Sequence, residues 1–484
     1  MANDVRVLEP IALWNYFADL NAIPRGSKKE EQVIEFTKNF GENLGLATYV
    51  DETGNVIIKK PASVGMENRP IIALQSHLDM VHQKNADINF DFDTQGIEMY
   101  VEGDWVKAKG TTLGADNGIG VAAIMALLAS TNIPHPPLEA LFTIDEETGM
   151  TGAIGLKGGM LDAKIMLNLD TEDDDELTIG CAGGIDVTAK GSYAQEELTG
   201  DYSSFSMEVK GLTGGHSGVD IQLGRGNANK LMNRFFTAVA REIELAVTSI
   251  DGGGLRNAIP RESSAVISIA TADMNMLNAL VEDFNTILKT ELATTDANAV
   301  LIATPTETQT TRINANFQSK LLKGIYACPN GIYRMSSEIE GLVQTSNNLA
   351  RVLVNDGSYE VLCLTRSSSE TEKQDEANSI KGAFELMGAT VTTGGSYPGW
   401  EPKPEAGIIK LMQGLYKEMF ESEAHVSAIH AGLECGILGT NYPDMEMISF
   451  GPNIYGAHSP DERAQISSVQ KFWSFLLETL KRVE

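Results

Sequence analysis

The chain has 484 residues, and 37 Lys+Arg against 66 Asp+Glu leave a formal charge of −29. A nucleic-acid surface must be basic enough to displace counterions, and an anionic membrane asks the same, so neither is an expected partner. A composition 42% hydrophobic and 21% charged excludes disorder, and the length predicts two or three domains with filled cores.

The first residues, Met1-Ala2-Asn3-Asp4-Val5, carry no basic segment ahead of an apolar one, and no stretch reaches the ~20 apolar residues of a membrane-spanning helix. Cys181, Cys328, Cys363 and Cys435 are scattered, with neither a C-x-x-C pair nor a dense framework, so buried thiols in a reducing cytoplasm are expected.

Leu13, Phe17 and Leu20 recur at helical spacing, and Ile71-Ile72-Ala73-Leu74 reads as a strand buried in a parallel sheet. Further strands are expected at 138–144 and 165–169, with a helix through Ile119, Ala123, Ala126 and Leu127 ahead of them. This alternation predicts an α/β sandwich with a mostly parallel central sheet over residues 1–185. From residue 186 the texture changes. Glycine-rich turns separate strand-like runs from two long amphipathic helices, at roughly 225–244 and 369–387, which predicts an inserted α+β lid domain over 186–392. Duplication within it stays open, since no sequence repeat aligns. The α/β texture resumes over 393–484, where Val469, Phe472, Leu476 and Leu480 mark a last helix.

Five segments place an imidazole or a carboxylate where a strand is expected to end. In Ser76-His77-Leu78-Asp79-Met80, His77 and Asp79 are two apart, so in a strand they project together and the carboxylate can orient the ring of a ligating histidine. Asp116, in Thr112-Leu113-Gly114-Ala115-Asp116-Asn117-Gly118, reads equally as a cap for the helix that follows. Asp145-Glu146-Glu147 crowds three acids before Gly149, a repulsion that a solvated loop tolerates and a cation removes. Asp170 ends Leu167-Asn168-Leu169-Asp170, and His458 lies far downstream in Ala457-His458-Ser459-Pro460-Asp461-Glu462. Each segment alone has a bland reading as a turn, a cap or a solvated loop.

Taken together they make a donor set. Should His77, Asp116, Glu147, Asp170 and His458 converge, two neutral nitrogens and three carboxylates suit borderline divalent ions such as zinc. Five ligands exceed the need of one catalytic zinc, whereas two dications against three carboxylates and a hydroxide sum to zero. That predicts a two-metal hydrolase, with Glu146, beside a ligand but on the opposite side of the strand, as the base that moves a proton.

The same residues carry a resemblance that covers the whole chain. Ile23-Pro24-Arg25, His77-Leu78-Asp79, Gly114-Ala115-Asp116-Asn117-Gly118, Asp145-Glu146-Glu147-Thr148-Gly149, Asn168-Leu169-Asp170 and Ala457-His458-Ser459-Pro460 resemble the bacterial aminoacyl-histidine (Xaa-His) dipeptidases, within the co-catalytic zinc superfamily of aminoacylases and carboxypeptidases. The resemblance implies that Asp116 bridges two ions, that Glu147 and His458 complete one site and His77 and Asp170 the other, that Asp79 supports His77, and that Glu146 is the general base. It implies two divalent ions, zinc foremost, with cobalt or manganese as alternatives, and a small dipeptide such as Ala-His or β-Ala-His as substrate.

In the lid, Gly214-Gly215-His216-Ser217-Gly218 and Asn257-Ala258-Ile259-Pro260 are similar to family lid motifs, with His216 implied as an oxyanion donor and Asn257 as substrate-binding. Arg366 is a candidate to pair a substrate carboxylate through its bidentate fork. His430 and Glu434, in Ile429-His430-Ala431-Gly432-Leu433-Glu434, are candidate substrate-side residues without an assigned role, and Tyr397 and Trp400 either wall a pocket or pack a turn. Two other functions stay open: an N-acyl amino acid amidohydrolase or carboxypeptidase of the same superfamily, and an inactive metal-binding interaction protein. Whether the chain forms a homodimer, and whether His216 acts within its own chain or across such a dimer, also stays open.

Overall fold

The computed structural model describes residues 4–484. They divide into two compact units. The first takes the chain up to Gly180, then Trp400–Ala428 and Leu433–Glu484; the second takes Cys181–Gly399 and Ile429–Gly432. The expected boundaries lay at 185/186 and 392/393, and no signal in the sequence marked the return of the four residues from Ile429 to Gly432.

The first unit is built on an eight-stranded sheet in the order Ala47–Val50, Val56–Lys60, Leu138–Thr143, Ile72–His77, Ile165–Asn168, Glu446–Ser449, Glu176–Cys181, His425–Ile429. Its centre is parallel: Ile72–His77 runs parallel to both neighbours, and Glu446–Ser449 parallel to Ile165–Asn168. Toward one edge Val56–Lys60 and Ala47–Val50 are antiparallel, and toward the other Glu176–Cys181 pairs antiparallel with Glu446–Ser449. Every residue of Ile72–His77 and of Leu138–Thr143 is buried, which is why these strands read as continuous apolar runs rather than alternating ones. Helix Ala115–Ala129 buries all its residues except Asp116 and Ala129, so no polar stripe interrupts it. The helix expected at Leu13, Phe17 and Leu20 is Ile11–Asn21, and the last helix is Ile466–Arg482.

The second unit carries a nine-stranded sheet in which eight strands form two halves of the same strand order and the ninth, Gly331–Met335, pairs with Val343–Asn355. In the first half, strands Tyr202–Lys210, Ala246–Gly253, Ser263–Ala270 and Val300–Pro305 alternate with helices Ala228–Glu242 and Met274–Glu291 as β-α-β-β-α-β. In the second, Gly183–Ser192, Val343–Asn355, Ser358–Ser367 and Thr390–Tyr397 do so with Ala315–Ala327 and Glu370–Met387. Each half has the strand order 4-1-3-2 of a ferredoxin-like unit, and the halves join where their second strands, Ala246–Gly253 and Val343–Asn355, pair. Met232, Phe235, Leu277, Phe284, Leu321, Ile325, Ile380 and Phe384 bring all four helices into one core against this sheet. All four cysteines are buried, and among the described residues no helix is long and apolar enough to cross a membrane.

Candidate metal centre

Three parallel strands stop side by side in the first unit, and each is followed at once by an imidazole or an acid. His77 is the last residue of Ile72–His77, Asp170 stands two past Ile165–Asn168, and Glu146 and Glu147 lie in the turn past Leu138–Thr143. The carboxyl ends of neighbouring parallel strands are where an open α/β sheet presents groups into one crevice. Asp116 enters from the first turn of Ala115–Ala129 and His458 from the loop after Glu446–Ser449.

The five side chains converge. His77 Nε2 is 3.2 Å from Asp116 Oδ1 and 3.5 Å from Asp170 Oδ1. His458 Nε2 is 3.3 Å from Asp116 Oδ2 and 2.9 Å from Glu147 Oε2. Asp116 thus turns one oxygen toward each imidazole, and two triads share it: His77, Asp116, Asp170 and Asp116, Glu147, His458, each with its ligand atoms within 4.8 Å of one another.

The donor set fits a pair of divalent cations. Glu147 Oε1 and Asp170 Oδ1 are buried without a hydrogen-bond partner, as acceptors meant for a cation would be. Burial disfavours charge on His77, yet Asp170, Asp116 and Asp79 hold its imidazole well above the ordinary value. Hydrogen bonds to Asp116 and Glu147 raise His458 to about 11. Burial raises Asp170 to about 6, with Asp116 and Glu147 adding to the rise and His77 opposing it. Protons on the two imidazoles stand where the positive charge of dications would, and metal uptake would displace them.

Glu146 corrects one expectation. It is not across a strand from Glu147, because the strand has already ended at Thr143, and Asp145, at φ 52°, turns the chain. A Glu146 oxygen lies within 4.8 Å of ligand atoms of both His77 and Glu147. Burial pushes its carboxyl well above the usual range, opposed by His77 and reinforced by Asp170, Glu434 and Glu147.

Asp79 holds these parts together. Its carboxylate accepts from Ser27 Oγ at 2.8 Å and from the backbone N–H groups of Glu146 at 3.1 Å and Glu147 at 3.3 Å, and it lies 3.3 Å from His77 Nδ1. Burial opposes its charge, but His77, Ser27 and the Glu146 N–H hold it below the ordinary carboxyl value. With the second proton displaced by a cation, a proton on Nδ1 held by the Asp79 carboxylate and backbone carbonyl would leave Nε2 its lone pair.

Several supporting groups carry no mark of their role in the sequence. The Asp116 carboxylate turns its oxygens to His77 and His458 rather than to the N–H groups of the helix that follows. The buried Glu462 carboxylate accepts from the N–H groups of Leu113, Gly114, Ala115 and Asp116. Arg25, which enters the sequence reading only as part of a motif, is buried and donates to the carbonyls of Leu78, Asp79 and Gly114. It thereby ties the His77 loop to the Asp116 loop. Gly114 has φ 68°, and a Cβ there would meet Arg25 Nη2 at 2.4 Å. Beneath the centre, Gln75 donates to Glu434 Oε2 at 2.7 Å, Thr143 Oγ1 donates to it at 2.6 Å, and Asn168 Nδ2 donates to Gln75 Oε1 at 2.5 Å. Burial raises Glu434 to about 7. The one available signal for these residues was a polar side chain inside an apolar strand, as at Gln75 and Thr143.

His216, Asn257, Arg366 and His430 all belong to the second unit. His216 pairs with Ala258 across a two-residue ladder, and the Asn257 carbonyl accepts from Ser217 N–H at 2.8 Å. Arg366 is buried and donates through Nη1 to Tyr397 Oη at 2.7 Å, while the buried Lys373 Nζ donates to the Tyr397 carbonyl at 2.6 Å. His430 Nε2 shares a proton with Ser346 Oγ at 2.8 Å, and its Nδ1 has no partner. Burial, the Arg366 charge and the His216 ring lower His430 to about 3, against a hydrogen bond with the Val343 backbone, and burial with Arg366 also lowers His216. Both rings are therefore neutral at pH 7. Trp400 packs on the core of the first unit, and Tyr397 lies in the second.

Residues 73–482 match the model of peptidase family M20/M25/M40. The chain is 42% identical over 481 residues, 99% of either chain, to the cytosol non-specific dipeptidase of Escherichia coli K12. The crystal structure of aminoacylhistidine dipeptidase from Vibrio alginolyticus superposes with a TM-score of 0.95 at 41% identity, over 99% of this chain and 98% of that one. A tripeptidase from Staphylococcus aureus shares the fold at a TM-score of 0.56 and 17% identity, over 98% of this chain and 99% of that one.

Proposed function

The chain belongs to peptidase family M20/M25/M40 and is a metallopeptidase, and we propose that it hydrolyses the peptide bond of dipeptides, Xaa-His types such as Ala-His and β-Ala-His among them. The observation that carries this reading is the pair of triads sharing Asp116, with the carboxylate of Glu146 beside them. The two dipeptidases near 40% identity support the dipeptide class, and the cytosolic one of them supports a cytoplasmic location.

His77, Asp116 and Asp170 would hold one ion and Asp116, Glu147 and His458 the other, with zinc the ion expected. Such a pair acidifies water and polarises the scissile carbonyl. Glu146, disposed by its burial to accept a proton, takes one from the attacking water and passes it to the departing amine nitrogen. Asp79 keeps the His77 ring and the Glu146 backbone in register while this occurs. The second unit supplies the candidate substrate-binding residues His216, Asn257, Arg366 and His430, with the neutral His216 suited to donate a hydrogen bond and Arg366 suited to pair a carboxylate.

Release of histidine from Ala-His and β-Ala-His is the test. Turnover that vanishes on chelation and returns with zinc supports the proposal. Release only of acyl groups from N-acyl amino acids would reassign the chain to amidohydrolysis, and no turnover by zinc-loaded protein would leave a binding protein.

A further inference from the structure

Glu462 lies four residues beyond His458, yet its bonds are made to the loop that carries Asp116. Oε2 accepts from Leu113 N–H at 2.7 Å and Gly114 N–H at 2.9 Å, and Oε1 accepts from Ala115 N–H at 2.7 Å and Asp116 N–H at 3.3 Å. The side chain is only 2% exposed, so the four contacts take place out of water, where hydrogen bonds from backbone N–H groups to a carboxyl group are most effective. The loop from which it reaches is stiff. Ser459 Oγ donates to the Gly456 carbonyl and accepts from Asp461 N–H, and Glu462 N–H donates to the Ser459 carbonyl. One carboxylate therefore couples the segments bearing two donors of the same triad, Asp116 and His458.

We infer that Glu462 is a positioning residue that fixes the distance between Asp116 and His458, and so sets the affinity for the ion held by Asp116, Glu147 and His458. The inference rests on the two-ion reading above. The other triad has its own supports: Asn117 Nδ2 donates to the Leu169 carbonyl at 2.5 Å, tying the Asp116 turn to the Asp170 strand, and Asp79 holds His77. Loss of the Glu462 bonds is thus felt chiefly on one side of Asp116. The fold has an independent tether at the same place, because Arg463–Gln465 pairs with Trp105–Ala108.

The test is Co²⁺ titration of chelator-stripped protein, followed by d–d absorption and by calorimetry, on wild type, Glu462→Gln and Glu462→Asp, with thermal melting in parallel. Glu462→Gln removes the charge and one acceptor; Glu462→Asp keeps the charge and withdraws it from the four N–H groups. Both variants should keep one ion at wild-type affinity and bind the other about 10–100-fold more weakly, as is typical when a group that orients a ligand is lost. Two ions at wild-type affinity in both variants overturn the inference. So does equal weakening of both ions in Glu462→Gln with normal binding in Glu462→Asp, since charge alone would then be responsible. Should Glu462→Gln fail to fold, Glu462→Asp decides by the same criteria. Failure of wild type itself to take up two ions would bring down the two-ion reading, and the inference with it.

Discussion

Asp79→Asn is the substitution that most directly probes how the centre is assembled. The native carboxylate meets four groups at once: Ser27 Oγ, the N–H groups of Glu146 and Glu147, and His77 Nδ1. An amide keeps one accepting oxygen and replaces the other with a donor, so at least one buried N–H or the ring N–H loses its acceptor. Each buried donor left unpaired costs about 1–3 kcal/mol. Urea unfolding of the metal-free variant should therefore show a loss in that range, at an unchanged m-value. The Asp79 backbone carbonyl, 3.2 Å from Nδ1, stays in place, so an asparagine loosens rather than removes the hold on the tautomer that offers Nε2, and weakening such a partner lowers metal affinity by up to about 10–100-fold. The weakened ion should be the one on His77 and Asp170, which a two-site zinc titration resolves. Turnover should fall further than the lost metal explains, even at saturating zinc, because Asp79 also anchors the backbone of Glu146, and a displacement of about 1 Å at a reacting group costs on the order of 10² in rate. Wild-type stability and zinc affinity in Asp79→Asn would refute the account of Asp79 as the joint between the ligand set and the base.

Glu146→Gln should bind both ions normally and lose ~10²–10⁴-fold in kcat on Ala-His, checked by metal analysis alongside steady-state rates. Gly114→Ala should lower the melting temperature by several degrees and weaken metal uptake, since a left-handed backbone and a contact 2.4 Å from Arg25 Nη2 both act against a methyl there. In the second unit, the buried Glu376 has neither oxygen hydrogen-bonded, and burial, with Asp375 and Glu372 nearby, raises it to about 7. The folded state thus holds this proton more tightly than the unfolded chain does. The stability it contributes is whole below about pH 4.5 and is lost as pH rises through 7, on the order of 3 kcal/mol in all. Urea unfolding between pH 4 and 8 should show that decline in wild type and a flatter profile in Glu376→Gln.

His77, Glu147 and Asp170 are legible in the sequence because each ends or follows an apolar run, and an acid or imidazole there is a recognisable break in pattern, whereas Asp116 and His458 are legible only through the motifs that carry them. The strands themselves are legible for the same reason: Ile72–His77 and Leu138–Thr143 are buried on both faces and admit few polar residues. The position of Glu146 relative to the strand is not, because the end of a strand is fixed by hydrogen bonds to neighbours, which a local pattern does not contain. Glu462 and Arg25 are silent in the sequence because their partners are backbone groups, Leu113 to Asp116 and Leu78, Asp79 and Gly114, and a backbone amide leaves no mark in composition or spacing.

The sequence by itself determined which side chains are available to ligate cations and move a proton, because residue type sets donor chemistry, and it determined the alternation of strand and helix, because burial imposes periodicity. Only the tertiary structure decided that Asp116 turns one oxygen to each of two imidazoles, that a carboxylate beyond His458 holds the backbone N–H groups of the turn carrying Asp116, and that the second unit joins two β-α-β-β-α-β halves through their second strands. Those arrangements depend on contacts between residues tens to hundreds of positions apart, and the chain order carries no distance for them until the sheets have formed.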